Sequence, residues 1–168
     1  VNEPWSYLIC NGERTHITEI QMYLANVGLN GEIPSGLNFT ELTKITIIGE
    51  PALIGKIPEF TLLTSLVTLN ILENSLTELP VWDASSIPPN IEWINFNKNN
   101  ITGTVPTWLA EVKYLGLQHN RLTGTIPDFN YPRVDRIELN NNQLSGTIPD
   151  FANVNGVQII NLSNNQLF

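Results

Sequence analysis

The residues best suited to recognise another molecule fall at a near-constant spacing. Trp93, Tyr114 and Arg136 follow one another at 21 and 22 residues. Exposed Trp, Tyr and Arg are the residue types that anchor interfaces. Asn95, Asn97, Gln118, His119, Glu138 and Asn140 accompany them in the same three segments. Rings surrounded by amides can stack on and hydrogen-bond a peptide, a protein surface or a sugar. Covalent chemistry has far less support. The only histidines are His16 and His119, and the only cysteine is Cys10. That excludes a histidine-rich metal site and a Cys cluster, and suggests no base for a Cys nucleophile. There is no Gly-x-Ser-x-Gly elbow and no His-Glu-x-x-His motif. The stretch Gly49 to Lys56 imitates a phosphate loop, but five residues separate its glycines and Ile57 stands where Ser or Thr must hold the metal. Asp128 and Asp150 share an Ile-Pro-Asp-Phe context, which repetition alone explains. No catalytic centre, metal or cofactor is expected.

The elements that would position these residues are written in a repeat. An apolar-Pro pair recurs at Pro34, Pro58, Pro80, Pro106, Pro127 and Pro149. An Asn recurs in step at Asn74, Asn99, Asn120, Asn142 and Asn165. Two residue types keeping one period of about 23 residues mark a solenoid of similar coils. The unit reads Val112-x-x-Leu115-x-Leu117-x-x-Asn120-x-Leu122-x-Gly124-x-Ile126-Pro127, then Val134-x-x-Ile137-x-Leu139-x-x-Asn142-x-Leu144-x-Gly146-x-Ile148-Pro149. Alternation such as Leu115-x-Leu117 predicts a short strand with one buried side. No coil can bury that side alone, so strands must stack into a parallel sheet. The recurring Asn sits where the chain turns inward, and its amide can satisfy buried backbone groups.

Composition agrees. Of 168 residues, 22 are Asn and 40 are Leu or Ile, whereas only 14 % are charged. Such an aliphatic excess is not that of a disordered chain. The net charge of −8 argues against nucleic acid or an anionic membrane as partner. No run approaches the roughly 18 apolar residues of a membrane span.

The unit Leu-x-x-Leu-x-Leu-x-x-Asn-x-Leu-x-Gly-x-Ile-Pro resembles the plant-type leucine-rich repeat over nearly the whole chain. The resemblance implies an α/β leucine-rich-repeat solenoid of about seven repeats. It would be a right-handed superhelix with a parallel β-sheet on the concave face and short 3-10 helices or loops on the convex face. Trp5-x-x-Leu8-x-Cys10 resembles the end of the family's N-terminal cap, so residues 1–16 read as a partial cap and 17–168 as repeats. There Cys10 would pair with a cysteine further upstream; the alternative is a free, buried Cys packing as a small hydrophobe. The unit Leu76-Thr77-Glu78-Leu79-Pro80 departs from the pattern, being one residue short and without Gly.

Functionally the resemblance implies an extracellular ligand-recognition module, like receptor-kinase or receptor-like-protein ectodomains, binding a protein, peptide or carbohydrate. The alternatives are a secreted inhibitor similar to polygalacturonase inhibitors, suggested by the expanded Ile47 to Gly55 stretch, and a surface adhesion protein. The expected concave columns run Lys44, Thr68, Trp93, Tyr114, Arg136, Ile159, and Thr46, Asn70, Asn95, Gly116, Glu138, Asn161. The candidate site is the exposed Trp93–Tyr114–Arg136 patch with its polar neighbours. Asn38, Asn100 and Asn161 lie in Asn-x-Ser/Thr sequons, candidate glycosylation sites of a secreted chain.

Overall fold

The computed structural model describes residues 8–23, 31–49, 52–83, 85–108, 112–128, 133–151 and 156–168. Trp5 of the cap motif, Leu29 of the first unit, and Glu50 and Pro51 of the expanded unit lie outside them.

The apolar alternation folds as the spacing predicts. Strands β2 (Ile17–Tyr23), β3 (Lys44–Ile48), β4 (Thr68–Leu72), β5 (Trp93–Asn95), β6 (Tyr114–Gly116), β8 (Arg136–Glu138) and β10 (Ile159–Asn161) stack in parallel. Successive strands are one coil apart, which makes a solenoid of about six turns. At the other edge β1 (Leu8–Cys10) runs antiparallel to β2, with an irregularity between Ile9 and Cys10. Cys10 is free and exposed on this strand, not buried among hydrophobes. The reason is its place on the edge strand of the sheet, where all three residues of β1 are exposed.

A second sheet was not expected from the sequence. β7 (Thr123–Gly124), β9 (Gln143–Gly146) and β11 (Gln166–Leu167) pair in parallel. Single bridges extend the same pattern at Gly31–Leu53, Lys56–Glu78 and Thr104–Thr123. The Gly of each Gly-x-Ile-Pro half makes this turn possible. Gly124 and Gly146 have φ of 76° and 83°, a region costly for other residues. Among the described residues the connections beyond it are turns and irregular segments, with 3-10 geometry at 107–108.

The core consists of the inward residues of each coil stacked on their counterparts. Ile20, Ile45, Leu69, Ile94, Leu115 and Ile137 form one buried column, and Met22, Ile47, Ile71, Phe96, Leu117 and Leu139 another. A third is Leu76, Ile101, Leu122 and Leu144, the last of them on β9 of the second sheet. The Asn ladder binds coil to coil. Asn120 Nδ2 donates to the carbonyl of Leu117 in its own coil and to that of Phe96 in the preceding one, both at 3.0 Å. Its Oδ1 accepts from the Ile101 amide at 3.0 Å. Asn99 repeats all three bonds one coil earlier, and Asn142 and Asn165 one and two coils later.

Candidate functional site

Parallel register turns equal repeat positions into spatial neighbours. Thr68 pairs with Trp93, Trp93 with Tyr114, Tyr114 with Arg136, and Arg136 with Ile159. Two residues along, Asn70, Asn95, Gly116, Glu138 and Asn161 form the adjacent row. The expected columns are therefore the observed ones.

Burial within them differs from the expectation of an open aromatic patch. Trp93 is 45 % exposed, but Tyr114 is only 7 % exposed. Trp93 covers it: the two rings stack at 4.2 Å between centroids and 14° between planes. The cause is Gly116, two residues along on the same face. A Cβ there would stand 2.8 Å from Tyr114 Oη and 2.8 Å from Asn95 Oδ1. Tyr114 lies down over this gap and its hydroxyl donates to Glu138 Oε2 at 2.8 Å.

Glu138 is the hub. It is 9 % exposed. Gln118 Nε2 donates to the same oxygen at 3.1 Å, and Arg136 Nε to Oε1 at 3.0 Å, with Arg136 Nη2 also on Oε1. A carboxylate is tolerated there because a cation and two neutral donors satisfy it. The Arg136 guanidinium carbon also stands 5.9 Å from the Tyr114 ring centroid, at the limit of a cation–π contact. Burial, then the bond to Glu138, pushes the Tyr114 hydroxyl up to about 12. The tyrosine is thus neutral at any physiological pH.

Trp93, Tyr114 and Arg136 line a groove of about 420 Å³ along the starts of the strands. It is bounded by Val67, Glu92, Lys113, Asp135 and Gln158, the residues immediately preceding β4, β5, β6, β8 and β10, and by Thr68 and Ile159. The residues expected from the sequence lie on the strands and in the turns that follow them, and this row before the strands is not among them. Its signal was present: Glu92 and Lys113 occupy the same repeat position, carry opposite charges, and pair at 2.8 Å.

The remaining candidates are dispersed along the face. Asn95 is half-buried and its Oδ1 caps the Asn97 amide at 3.2 Å. Asn97 and Gln118 are half-buried, and their side-chain oxygens have no hydrogen-bond partner. His119 does not line the groove. It lies in the turn beyond β6 with φ of 57°, exposed, its ring 3.4 Å from the Asn141 amide. Asn140 is half-buried, and its carbonyl accepts from the His119 amide at 3.1 Å. Of the sequons, Asn38 is exposed and Asn100 half-buried. Asn161 is on β10, with its Oδ1 engaged by Ser163.

Among the described residues, no three His, Cys, Asp or Glu side chains converge on a metal position. Among them, too, no helix is long and apolar enough to cross a membrane.

The Leucine Rich Repeat family profile matches residues 90–112 and 111–130, which include β5, β6 and the groove centre. No curated protein matches the chain by sequence. Solved structures do. A plant peptide hormone receptor, RGFR1, in complex with RGF2, is 28 % identical with a TM-score of 0.76, over 88 % of this chain and 25 % of the receptor. The BIR2 ectodomain from Arabidopsis thaliana is 31 % identical with a TM-score of 0.62, over 71 % of this chain and 67 % of that one. The PEPR1–AtPEP1 structure has a TM-score of 0.82 over 97 % of this chain and 23 % of its own; at 24 % identity it speaks for the fold alone. The chain spans about a quarter of the length of the first receptors it matches. With its repeat, its stacked register and these relatives, the chain belongs to the plant-type leucine-rich-repeat family.

Proposed function

We propose that this chain is an extracellular ligand-recognition module that binds a peptide or protein partner on its parallel-sheet face, and does no chemistry on it. The observation that carries the reading is Trp93. It is a half-exposed indole at the centre of a groove, stacked on a buried Tyr114 whose hydroxyl is fixed by Glu138. Such a ring is preorganised, so little side-chain entropy is lost on binding. The groove falls within the size range of ligand pockets. RGFR1, solved with RGF2, supplies the analogy of a related scaffold holding a peptide ligand.

Panning a displayed random-peptide library on the immobilised chain tests this. Peptides that bind saturably should be recovered, and Trp93→Ala should weaken them at least about tenfold, as loss of a central anchor does. The variant should stay folded, with its thermal midpoint lower by only a few degrees, because it loses the stacking on Tyr114 but the indole is half-exposed. Recovery of no saturable binder, or of binders indifferent to Trp93→Ala, would overturn the reading.

A further inference from the structure

The charges of the sheet face and its two turn margins are nearly all spent on one another. Lys44 pairs with Glu19 at 3.6 Å, Lys98 with Glu73 at 2.7 Å, Lys113 with Glu92 at 2.8 Å, and Arg136 with Glu138. None of these four cations is left to receive a carboxylate, and Arg133, exposed and without an ion pair among the described residues, lies outside the groove lining. One groove charge is not spent. Asp135, exposed at the start of β8, lines the groove and has no ion pair among the described residues.

The aromatic part also favours a cation. Tyr114 covers one face of Trp93, and on the other side stands Thr68, too short to cover the second face. An indole face is the best aromatic partner for a guanidinium, and Glu92 precedes it in the chain. Trp93 and Asp135 are placed by strands β5 and β8, two steps apart across the sheet. Two steps of about 4.8 Å make roughly 10 Å between the strands, the reach of about three extended residues, and the long arginine side chains span the further ring spacing to the outer face of the indole. The net charge of −8 would draw a basic partner from a distance.

We infer that the groove binds a basic peptide segment lying across the strand starts, with one arginine stacked on the outer face of Trp93 and a second, three residues along, against Asp135. This rests on the ligand-binding reading above and specifies the chemistry of the ligand.

The test uses the whole chain and short fluorescein-labelled Gly/Ser peptides, read by fluorescence anisotropy. One carries Arg-x-x-Arg, one adjacent arginines, one Glu-x-x-Glu, and one no charge; maltohexaose is added as a competitor. Arg-x-x-Arg should bind saturably at one site and more tightly than adjacent arginines. Asp135→Asn and Trp93→Ala should each weaken it about fivefold or more. Asp128→Asn, which removes the same charge from outside the groove, should change it less than about twofold. Equal weakening by Asp128→Asn would mean diffuse attraction and overturn the inference. Equal binding of adjacent arginines, or no saturable binding of Arg-x-x-Arg, would overturn it as well. Trp93-dependent binding of the acidic or uncharged peptide, or of maltohexaose in place of the arginine peptide, would overturn it and leave recognition at the sheet face standing. If no probe depends on Trp93, both readings fall.

Discussion

Tyr114 is the residue whose chemistry its surroundings alter most. An unfolded tyrosine loses its proton near pH 10, whereas the folded hydroxyl holds it to about 12. Below pH 10 both states carry the proton, so the full contribution to stability is present. Above pH 10 the unfolded chain alone ionises, and stability falls until the folded hydroxyl ionises too. The advantage of the wild type over Tyr114→Phe should therefore shrink by about 2 kcal/mol between pH 9 and pH 11.5. Urea unfolding at both pH values measures it; a difference that does not change with pH would refute the buried, Glu138-bound hydroxyl. Gly116 gives a second handle. Gly116→Ala would place a methyl 2.8 Å from that hydroxyl. The ring must then lift from its bed, at a cost of about 1–3 kcal/mol. One more tyrosine should titrate by pH 11 than in the wild type, read by ultraviolet absorbance; an unchanged titration would show that the ring can stay.

At the scale of the element, the coil is closed by one amide. Asn120 satisfies two carbonyls and one N–H that have been taken out of water. Asn120→Ala leaves the Ile101 N–H unpaired and removes one of two amide donors from each carbonyl, Phe96 keeping Asn99 and Leu117 keeping Asn142, so a loss of about 1–3 kcal/mol in unfolding free energy is expected. A loss below 1 kcal/mol would mean that water replaces the ladder. This element was legible in advance because its period is enforced by packing. Leu115, Leu117, Asn120 and Leu122 each meet their counterparts one coil away, and equal repeat positions become neighbours. The same logic placed Trp93, Tyr114 and Arg136 side by side. It did not tell that Tyr114 is covered, because that depends on the missing side chain of Gly116 and on Glu138 of the next strand. Nor did it reveal the left-handed residues that precede each ladder Asn. Glu73, Lys98, His119, Asn141 and Asn164 all have φ between 51° and 60°. A lone αL residue of almost any type is affordable when the coils on either side fix it, so no residue type announces the position. The fate of Cys10 was hidden too, since exposure of an edge strand depends on what lies over it.

On the scale of the whole molecule, stability should follow position along the solenoid. Close contacts between strands join successive members of each sheet, so each coil is held by the one before and the one after. The burial gradient follows. Ile94 and Leu115 are buried, but Ile160, their equivalent on β10, is half-buried, and Ile159 beside it is 40 % exposed. An amide in β5 can exchange with water only after two neighbouring interfaces open, whereas one in β10 needs the loss of a single interface. Native-state hydrogen exchange of this chain should therefore be slowest in β4, β5 and β6. Amides of β1, β10 and β11 should exchange at least about a hundredfold faster, through openings that cost less than global unfolding. The groove centre around Trp93 and Tyr114 belongs to the slow region, so a partner would meet an already rigid surface there. Asp135 and Gln158, at its β8–β10 side, border the faster one. Uniform exchange across all the strands would contradict this, since it would require the stack to open only as a single unit. A bound partner that spans β5 to β8 should then slow the β8 and β10 amides more than those of β4, because ordering is gained where openings had been frequent.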